Sequence, residues 1–246
     1  MIKLVSLNIE RSEHLDIVIP FLQTRNADVV CLQELCEVDI PVFAELLGTP
    51  ALYVRAKKEF ADGTSKVEGI GIFSRLPIRS TGVRYYHGSV DTVPETDDRD
   101  PGTHNNENRF VAVCDVEKDG EVFQIASTHF TWTPRGEASE QQRVNLEALF
   151  LILHEYKQFV LVGDFNAPRG GEIFTKLTDH YFDNIPAYYK TSLDINFHKD
   201  AKERPHELSD KMVDGFFTTT DYLVADVNLV FGVSDHAAVV GNISKA

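Results

Sequence analysis

Residues 159–168 read FVLVGDFNAP. Phe159, Val160, Leu161 and Val162 are consecutive β-favouring apolar residues and Gly163 breaks the run, which describes a core strand stopping at a loop. If the chain stays extended past the glycine, Asp164 and Asn166 project to one side while Phe165 turns back toward the core. Asn-Ala-Pro is also ordinary turn chemistry, because Asn and Asp satisfy nearby backbone groups and Pro168 continues neither helix nor ladder. Such a turn presents an acid and an amide together at a strand end.

The flanking sequence supplies further strands that end in polar residues. Residues 136–156, GEASEQQRVNLEALFLILHEY, have the apolar recurrence of an amphipathic helix lying on a sheet. Before them, RFVAVCDVEKDGEVFQIASTHF (109–130) has the pattern of a hairpin around Asp119-Gly120, and its second run ends in His129. At the N-terminus, IKLVSLN (2–8) reads as a buried strand ending in Asn8. Residues 12–26 show helical spacing, with Ser12 as N-cap and Pro20 at a kink. ADVVCLQE (27–34) is a second core strand ending in Glu34, and DIPVFAELLG (39–48) is a helix closing on Gly48. Between Leu52 and Val83 the runs shorten and mix glycine with β-branched residues, as antiparallel strands do. Residues 91–108 lack periodicity and hold more acids than bases, so a long surface loop is expected. After a polar stretch from 183 to 210, KMVDGFF (211–217), DYLVADVNLVFG (221–232) and SDHAAVVGNIS (234–244) read as closing strands.

Strands alternating with helices first, antiparallel runs in the middle and both types later imply two sheets packed face to face with helices outside. With no linker, low-complexity segment or repeat, one domain spanning residues 1–246 is the economical expectation. In such a sandwich Asn8, Glu34, His129, Asp164, Asn166, Asp235 and His236, all at the ends of apolar runs, converge on one rim.

Composition limits the function classes. The chain is 43% hydrophobic and 25% charged, enough for a sizeable core without covalent staples. Three cysteines without paired spacing argue against a disulfide framework and a structural zinc, and Cys31, inside an apolar run, reads as a small core residue. A formal net charge of −14 is the opposite of the basic footprint of a protein that grips polyphosphate surfaces, so a nucleic-acid substrate would need local compensation, which a divalent cation can supply. No stretch is long and apolar enough to span a bilayer, and MIKLVSLNIE turns polar too soon for a signal peptide, so a cytoplasmic location without a membrane partner is expected.

Hydrolysis of a phosphate ester needs an activated water, neutralised phosphoryl oxygens and a stabilised leaving oxygen. Glu34 and Asp235 offer hard oxygen ligands suited to Mg²⁺ or Mn²⁺, and Asn8 adds an amide oxygen. Mg²⁺ often takes only one or two protein carboxylates, so this spare set suffices. Zinc fits less well, because no two histidines share a helical face with a carboxylate partner. Asp214, on the neighbouring strand, is suited to orient and charge-stabilise His236, as buried carboxylates do for catalytic imidazoles. A turn at a strand start and a polar edge-strand residue are the plainer readings of the same letters.

Taken in order, SLNIE with Asn8, LQE with Glu34, GIGIFSR, STHFTW with His129, GDFNAP with Asp164 and Asn166, MVDGFF with Asp214, and SDHAAVV with Asp235 and His236 resemble the signatures of the endonuclease/exonuclease/phosphatase superfamily. Each motif is weak alone; the ordered set, spanning residues 4 to 240, is specific. The resemblance implies an α/β (α+β) fold, a four-layer α/β/β/α sandwich with two mixed, mainly antiparallel sheets and the site at the mouth between them. It implies that Glu34 holds Mg²⁺ or Mn²⁺ with Asn8 and Asp235 in or near its shell, and that Asp164 orients or deprotonates the attacking water. It further implies that Asn166 binds a phosphoryl oxygen, while His129 and the Asp214-paired His236 stabilise the transition state or act as acid and base. Arg109 matches a frequent family arginine and is expected either to contact phosphate or to form a surface salt bridge.

Fold and chemistry leave the substrate to the loops, here residues 55–68, 91–108 and 183–210. No basic, aromatic-studded patch marks a base-stacking track. Phe130 and Trp132 are expected either to form one wall of the site or to pack in the core or at the rim. On family frequency, the expected substrate is a phosphodiester in nucleic acid or a nucleotide, acted on by a monomer. A phosphomonoesterase acting on a small phosphorylated metabolite or inositide is the alternative, which the acidic balance favours. A non-catalytic binding module of the same fold would lack metal or base residues, and none is missing.

Overall fold

The computed structural model describes residues 1–61, 64–97, 99–103 and 105–246. Asp62, Gly63, Asp98 and His104, parts of the two earlier specificity loops, lie outside the described residues. The elements, in chain order, are β1 (Ile2–Asn8), α1 (Leu15–Arg25), β2 (Val29–Cys36), α2 (Ile40–Leu47), β3 (Leu52–Ala61), β4 (Thr64–Ser74), β5 (Ile78–His87), β6 (Glu95–Asp97), β7 (Arg109–Lys118), β8 (Glu121–His129), α3 (Glu140–Leu153), β9 (Val160–Asp164), α4 (Glu172–Thr178), β10 (Phe182–Asp183), α5 (Pro205–Leu208), β11 (Asp214–Thr218), β12 (Tyr222–Val230) and β13 (Ala238–Lys245). One sheet has the order β12-β13-β1-β2-β4-β3-β6 and the other β10-β11-β9-β8-β7-β5. Both are mixed and mainly antiparallel; β1/β2, β3/β6 and β8/β9 are the parallel neighbours among the described residues.

Strand alternation makes the four layers. In β1, Leu4 enters the core between the sheets while Val5 joins Val18, Phe21 and Leu22 of α1 and Phe43 and Leu47 of α2 on the outer face. In β9, Val160 and Val162 face the inter-sheet core while Leu161 meets Leu149 and Leu153 of α3 and Phe174 of α4. Both faces of these strands are covered, which is why FVLV is continuously apolar rather than alternating. Cys31 and Cys114 are buried in the inter-sheet core, and all three cysteines are free. No helix among the described residues is long and apolar enough to cross a membrane.

Three local expectations change. Helix α1 starts at Leu15, with His14 at the N-cap and no side-chain cap. Glu10 and Arg11 adopt left-handed φ angles of 47° and 62°, turning the chain before the helix begins, and Ser12 Oγ instead donates to Asp39 Oδ2 at 2.6 Å. Strand β2 does not stop at Glu34: fully buried Leu35 and Cys36 continue it. Glu34 sits at φ 56° where the register against β4 shifts between Leu32 and Leu35, a bulge that re-aims one side chain without ending the strand. Within residues 91–108, Glu95–Asp97 pairs in parallel with Lys58 to Phe60, so this excursion is partly a sheet edge.

Gly163 is required where it stands. Its φ is +140°, and a Cβ there would lie 1.9 Å from the Thr128 carbonyl oxygen of the adjacent strand. Gly163→Ala combines backbone strain with a backbone clash and is expected to cost about 3 kcal/mol or more, read as a lower urea midpoint. An unchanged midpoint would mean that β8 and β9 are not paired in this register.

Candidate active site

Register brings the expected residues together. Strand β9 pairs with β8 so that Asp164 lies beside His129, and with β11 so that Asp164 lies beside Asp214. Three functional side chains therefore sit side by side across three adjacent strands. Asn8 ends β1 in the other sheet, and Asp235 and His236 occupy the turn before β13, the strand paired with β1.

Asp164 is 2% exposed and lies at the centre of this group. Its Oδ1 accepts the Asn166 backbone N–H at 2.8 Å, and its Oδ2 accepts from Asn8 Nδ2 at 3.2 Å. The same Oδ2 is 3.5 Å from His129 Nε2 and 3.7 Å from His236 Nε2. Asn8 Nδ2 also donates to Glu34 Oε1 at 3.0 Å, and Asn8 Oδ1 accepts the Glu10 N–H at 3.1 Å, so one amide bridges the two carboxylates. Phe165 does turn inward: it is fully buried, edge-on to Phe217 at 5.0 Å. Asn166 has φ 50°, a conformation Asn tolerates, and its Nδ2 donates to the Phe130 carbonyl at 3.0 Å.

His236 Nδ1 is 2.8 Å from Asp214 Oδ2, and both side chains are buried. Burial opposes charge on this imidazole, but Asp214, Asp164 and Asp235 overcome it and raise its proton affinity well above the ordinary value. Ser192 Oγ accepts the backbone N–H groups of Val213 and Asp214, both at 3.1 Å, fixing the start of β11. His129 goes the other way: burial, then Arg109, lowers its proton affinity. Two imidazoles facing one carboxylate are thus biased toward different protonation states.

Arg109 is buried rather than part of a surface salt bridge. Its Nη1 donates to the His129 carbonyl at 3.0 Å, and its Nη2 lies 3.0 Å from Glu107 Oε2. Glu107 belongs to a buried network that sequence reading missed. Lys57 Nζ lies 3.2 Å from both Glu107 Oε1 and Glu68 Oε1 and 3.6 Å from Glu59 Oε2, while Arg11 also pairs with Glu59. Lys57, Glu59 and Glu68 lie in the weakly patterned 52–74 hairpin, where an alternating charged face normally points to solvent, and Glu107 lies in the segment before β7.

The constellation opens into a cavity of about 380 Å³, within the usual range for ligand pockets. Trp132, Pro134 and Arg135 line one part of it, and Leu193 and residues 198–211 contribute another. Its acids suit a hard divalent cation. Burial would raise Glu34, but His129, Lys57 and Arg11 outweigh it and hold the carboxyl at about 2, ready as an ionised ligand. Burial, with Glu10 and Glu34, pushes Asp235 up to about 7 against the pull of His236, an excess of negative charge that a cation would relieve. Asp164, Asp214 and His236 also offer ligand atoms within 4.8 Å of one another, but the Asp214–His236 hydrogen bond already engages two of them.

Among the described residues Asn8, Glu34, His129, Asp164, Asn166, Asp214, Asp235, His236 and Arg109 all belong to this one end of the sandwich. A model described as Endonuclease/Exonuclease/phosphatase family matches residues 5–236. An endonuclease/exonuclease/phosphatase from Bacteroides vulgatus superposes with a TM-score of 0.71 at 15% identity, covering 100% of this chain and 99% of that one. A mannosyl-6-phosphatase from Bacteroides thetaiotaomicron gives 0.67 at 14% identity, with 99% and 100% coverage. A beta toxin from Staphylococcus aureus gives 0.67 at 15% identity, with 98% and 99% coverage. No curated protein matches in sequence.

Proposed function

We propose that this chain, which belongs to the endonuclease/exonuclease/phosphatase family, whose members are generally metal-dependent phosphoesterases, hydrolyses a phosphodiester in a nucleotide or at the end of a nucleic-acid strand. The observation that carries the reading is the single carboxylate, Asp164, aligned with His129 and Asp214 and faced by both imidazoles.

In this reading Asp164 Oδ2 receives the proton of the attacking water as its oxygen bonds to phosphorus and the ester P–O bond breaks. His236 is less suited to that task, since its Nδ1 is committed to Asp214 and its Nε2 faces Asp164. The Asp214-held imidazole instead presents a donor and positive charge to a phosphoryl oxygen, with His129 and Asn166 completing the polar lining. Asn8 keeps Asp164 and Glu34 in fixed relation. Glu34 and Asp235, with Asn8 alongside, would hold a divalent cation, which would supply neutralisation of phosphoryl and leaving oxygens. Asp214→Asn is expected to lower kcat about 10²-fold with little change in KM, because it removes the charge that orients His236 and leaves the pocket intact. A change confined to KM would assign Asp214 to binding.

A strand end or a nucleotide is favoured over the body of a duplex because the cavity is bounded and its inner cations Arg11, Lys57 and Arg109 are each paired with a buried carboxylate. A long phosphate track would need unpaired cations beyond the mouth. The same balance supports the second reading, a phosphomonoesterase of small metabolites, and the mannosyl-6-phosphatase likeness is consistent with it. Turnover of a dinucleoside phosphate, a blunt duplex and a hexose phosphate separates them. Preference for the dinucleotide is expected, and exclusive turnover of the hexose phosphate would overturn the diesterase reading.

A further inference from the structure

The cavity wall contributed by residues 193–211 is built onto the catalytic segment. Leu193 bridges to His236, with the Asp194 N–H donating to the Asp235 carbonyl and the Ala237 N–H to the Ser192 carbonyl, both at 2.7 Å. Asp194, 2% exposed, is the bracket. Its Oδ2 accepts the Gly232 N–H at 2.6 Å, its Oδ1 accepts the Asn196 N–H at 2.9 Å, and its carbonyl accepts the Phe197 and His198 N–H groups at 3.1 and 2.8 Å. Phe197 packs edge-on against His14 at 4.9 Å. The turn that presents His198 is therefore held from both sides.

His198 Nδ1 accepts the Asp200 N–H at 3.1 Å, which leaves the ring proton on Nε2 and makes that atom a donor. His198 lines the same cavity as Asp235 and His236, near enough that, after burial, the charge of His236 disfavours its protonation. Lys199 follows; it is exposed and, among the described residues, forms no ion pair. Arg204 and Lys211 line the cavity from the same wall, so three cations stand there with two carboxylates, Asp200 and Glu207. In a protein of net charge −14, that local excess lines the same cavity as Asp164, Asp235 and His236.

We propose that His198, Lys199 and Arg204 form a second anion subsite that binds another phosphate of the same substrate, making the preferred substrate class bisphosphorylated. The inference rests on the phosphoesterase reading and narrows it. A bounded subsite with a fixed N–H donor and two cations recognises a phosphate group by charge-assisted hydrogen bonds, independently of the group that carries it.

The test is calorimetric titration in Mg²⁺ on an Asp164→Ala background, which suppresses turnover, with two probe pairs: thymidine 3′,5′-bisphosphate against thymidine 5′-monophosphate, and fructose 1,6-bisphosphate against fructose 6-phosphate. In at least one pair the bisphosphate should bind ~10-fold or more tightly, and Lys199→Ala with Arg204→Ala should bring the pair to within ~2-fold. The half-exposed ion pairs of Arg204 contribute little stability, and Lys199→Ala alone, which breaks none, should give part of the same loss. Equal binding of both members of each pair, or a preference that survives the double substitution, overturns the subsite. Wall-dependent preference in a protein that hydrolyses no phosphodiester would overturn the diesterase reading alone, and diester hydrolysis without the preference would overturn the subsite alone.

Discussion

Asp164→Ala is expected to reduce kcat by roughly 10⁴-fold while the protein stays folded, the upper range for a positioned acid or base. The carboxylate is buried, and its partners are polar. Its Oδ1 caps one backbone N–H and its Oδ2 faces two imidazoles and the Asn8 amide. Losing the capped N–H costs about 1 kcal/mol, modest beside the catalytic loss. Asp164→Asn sharpens the test, because it keeps the shape and removes the proton-accepting charge; it should be nearly as inactive as the alanine variant. Kinetics paired with a urea melt check both. A collapse in the melt would instead make Asp164 a structural bracket between β8, β9 and β11.

The second large effect is expected at Glu34. The bulge in β2 turns this one side chain toward Asn8 and His129, and its positive neighbours keep it ionised despite burial. Glu34→Ala should weaken the apparent Mn²⁺ affinity more than ~100-fold, beyond what loss of an outer-shell partner causes, and drop turnover at limiting metal in parallel. Titrating both activity and melting temperature with Mn²⁺ reads the change twice, since a bound ion raises stability with the logarithm of its concentration relative to its dissociation constant. Glu34→Ala with an unchanged Mn²⁺ midpoint would move the metal to another carboxylate.

Much of this site was legible because its residues end apolar runs. In a sandwich with both strand faces covered, a polar residue has few places to go except the rim, and Asp164, His129 and Asn8 each close a strand that the run of letters already announced. Asp235 and His236 likewise stand at the start of an apolar run, with Asp214 opening the neighbouring one, and the ordered motifs tie all three to the same site. Less legible was the bulge at Glu34, since an αL residue inside a strand leaves no pattern when the flanking Leu35 and Cys36 are apolar. Ser12 was misread for a related reason: a polar residue before a helical run suggests a cap, but two left-handed residues displaced it. Lys57 and Glu68 are hidden because charged letters in weakly patterned strands read as solvent-facing, and Glu107 because it lies in an acidic stretch that reads as a surface loop; only tertiary pairing buries them together. Asp194 and His198 lie in a polar stretch whose order comes from long-range bonds to Gly232 and Asp235, which local sequence does not carry.

The most direct test of the central claim is hydrolysis of bis-p-nitrophenyl phosphate by the wild-type chain in Mg²⁺ or Mn²⁺, in EDTA, and by Asp164→Ala. Turnover that needs the divalent cation, stops in EDTA, returns when metal is added in excess and is absent from the folded Asp164→Ala protein is the predicted result. Turnover that persists in EDTA or survives Asp164→Ala would contradict a metal-assisted site centred on that carboxylate.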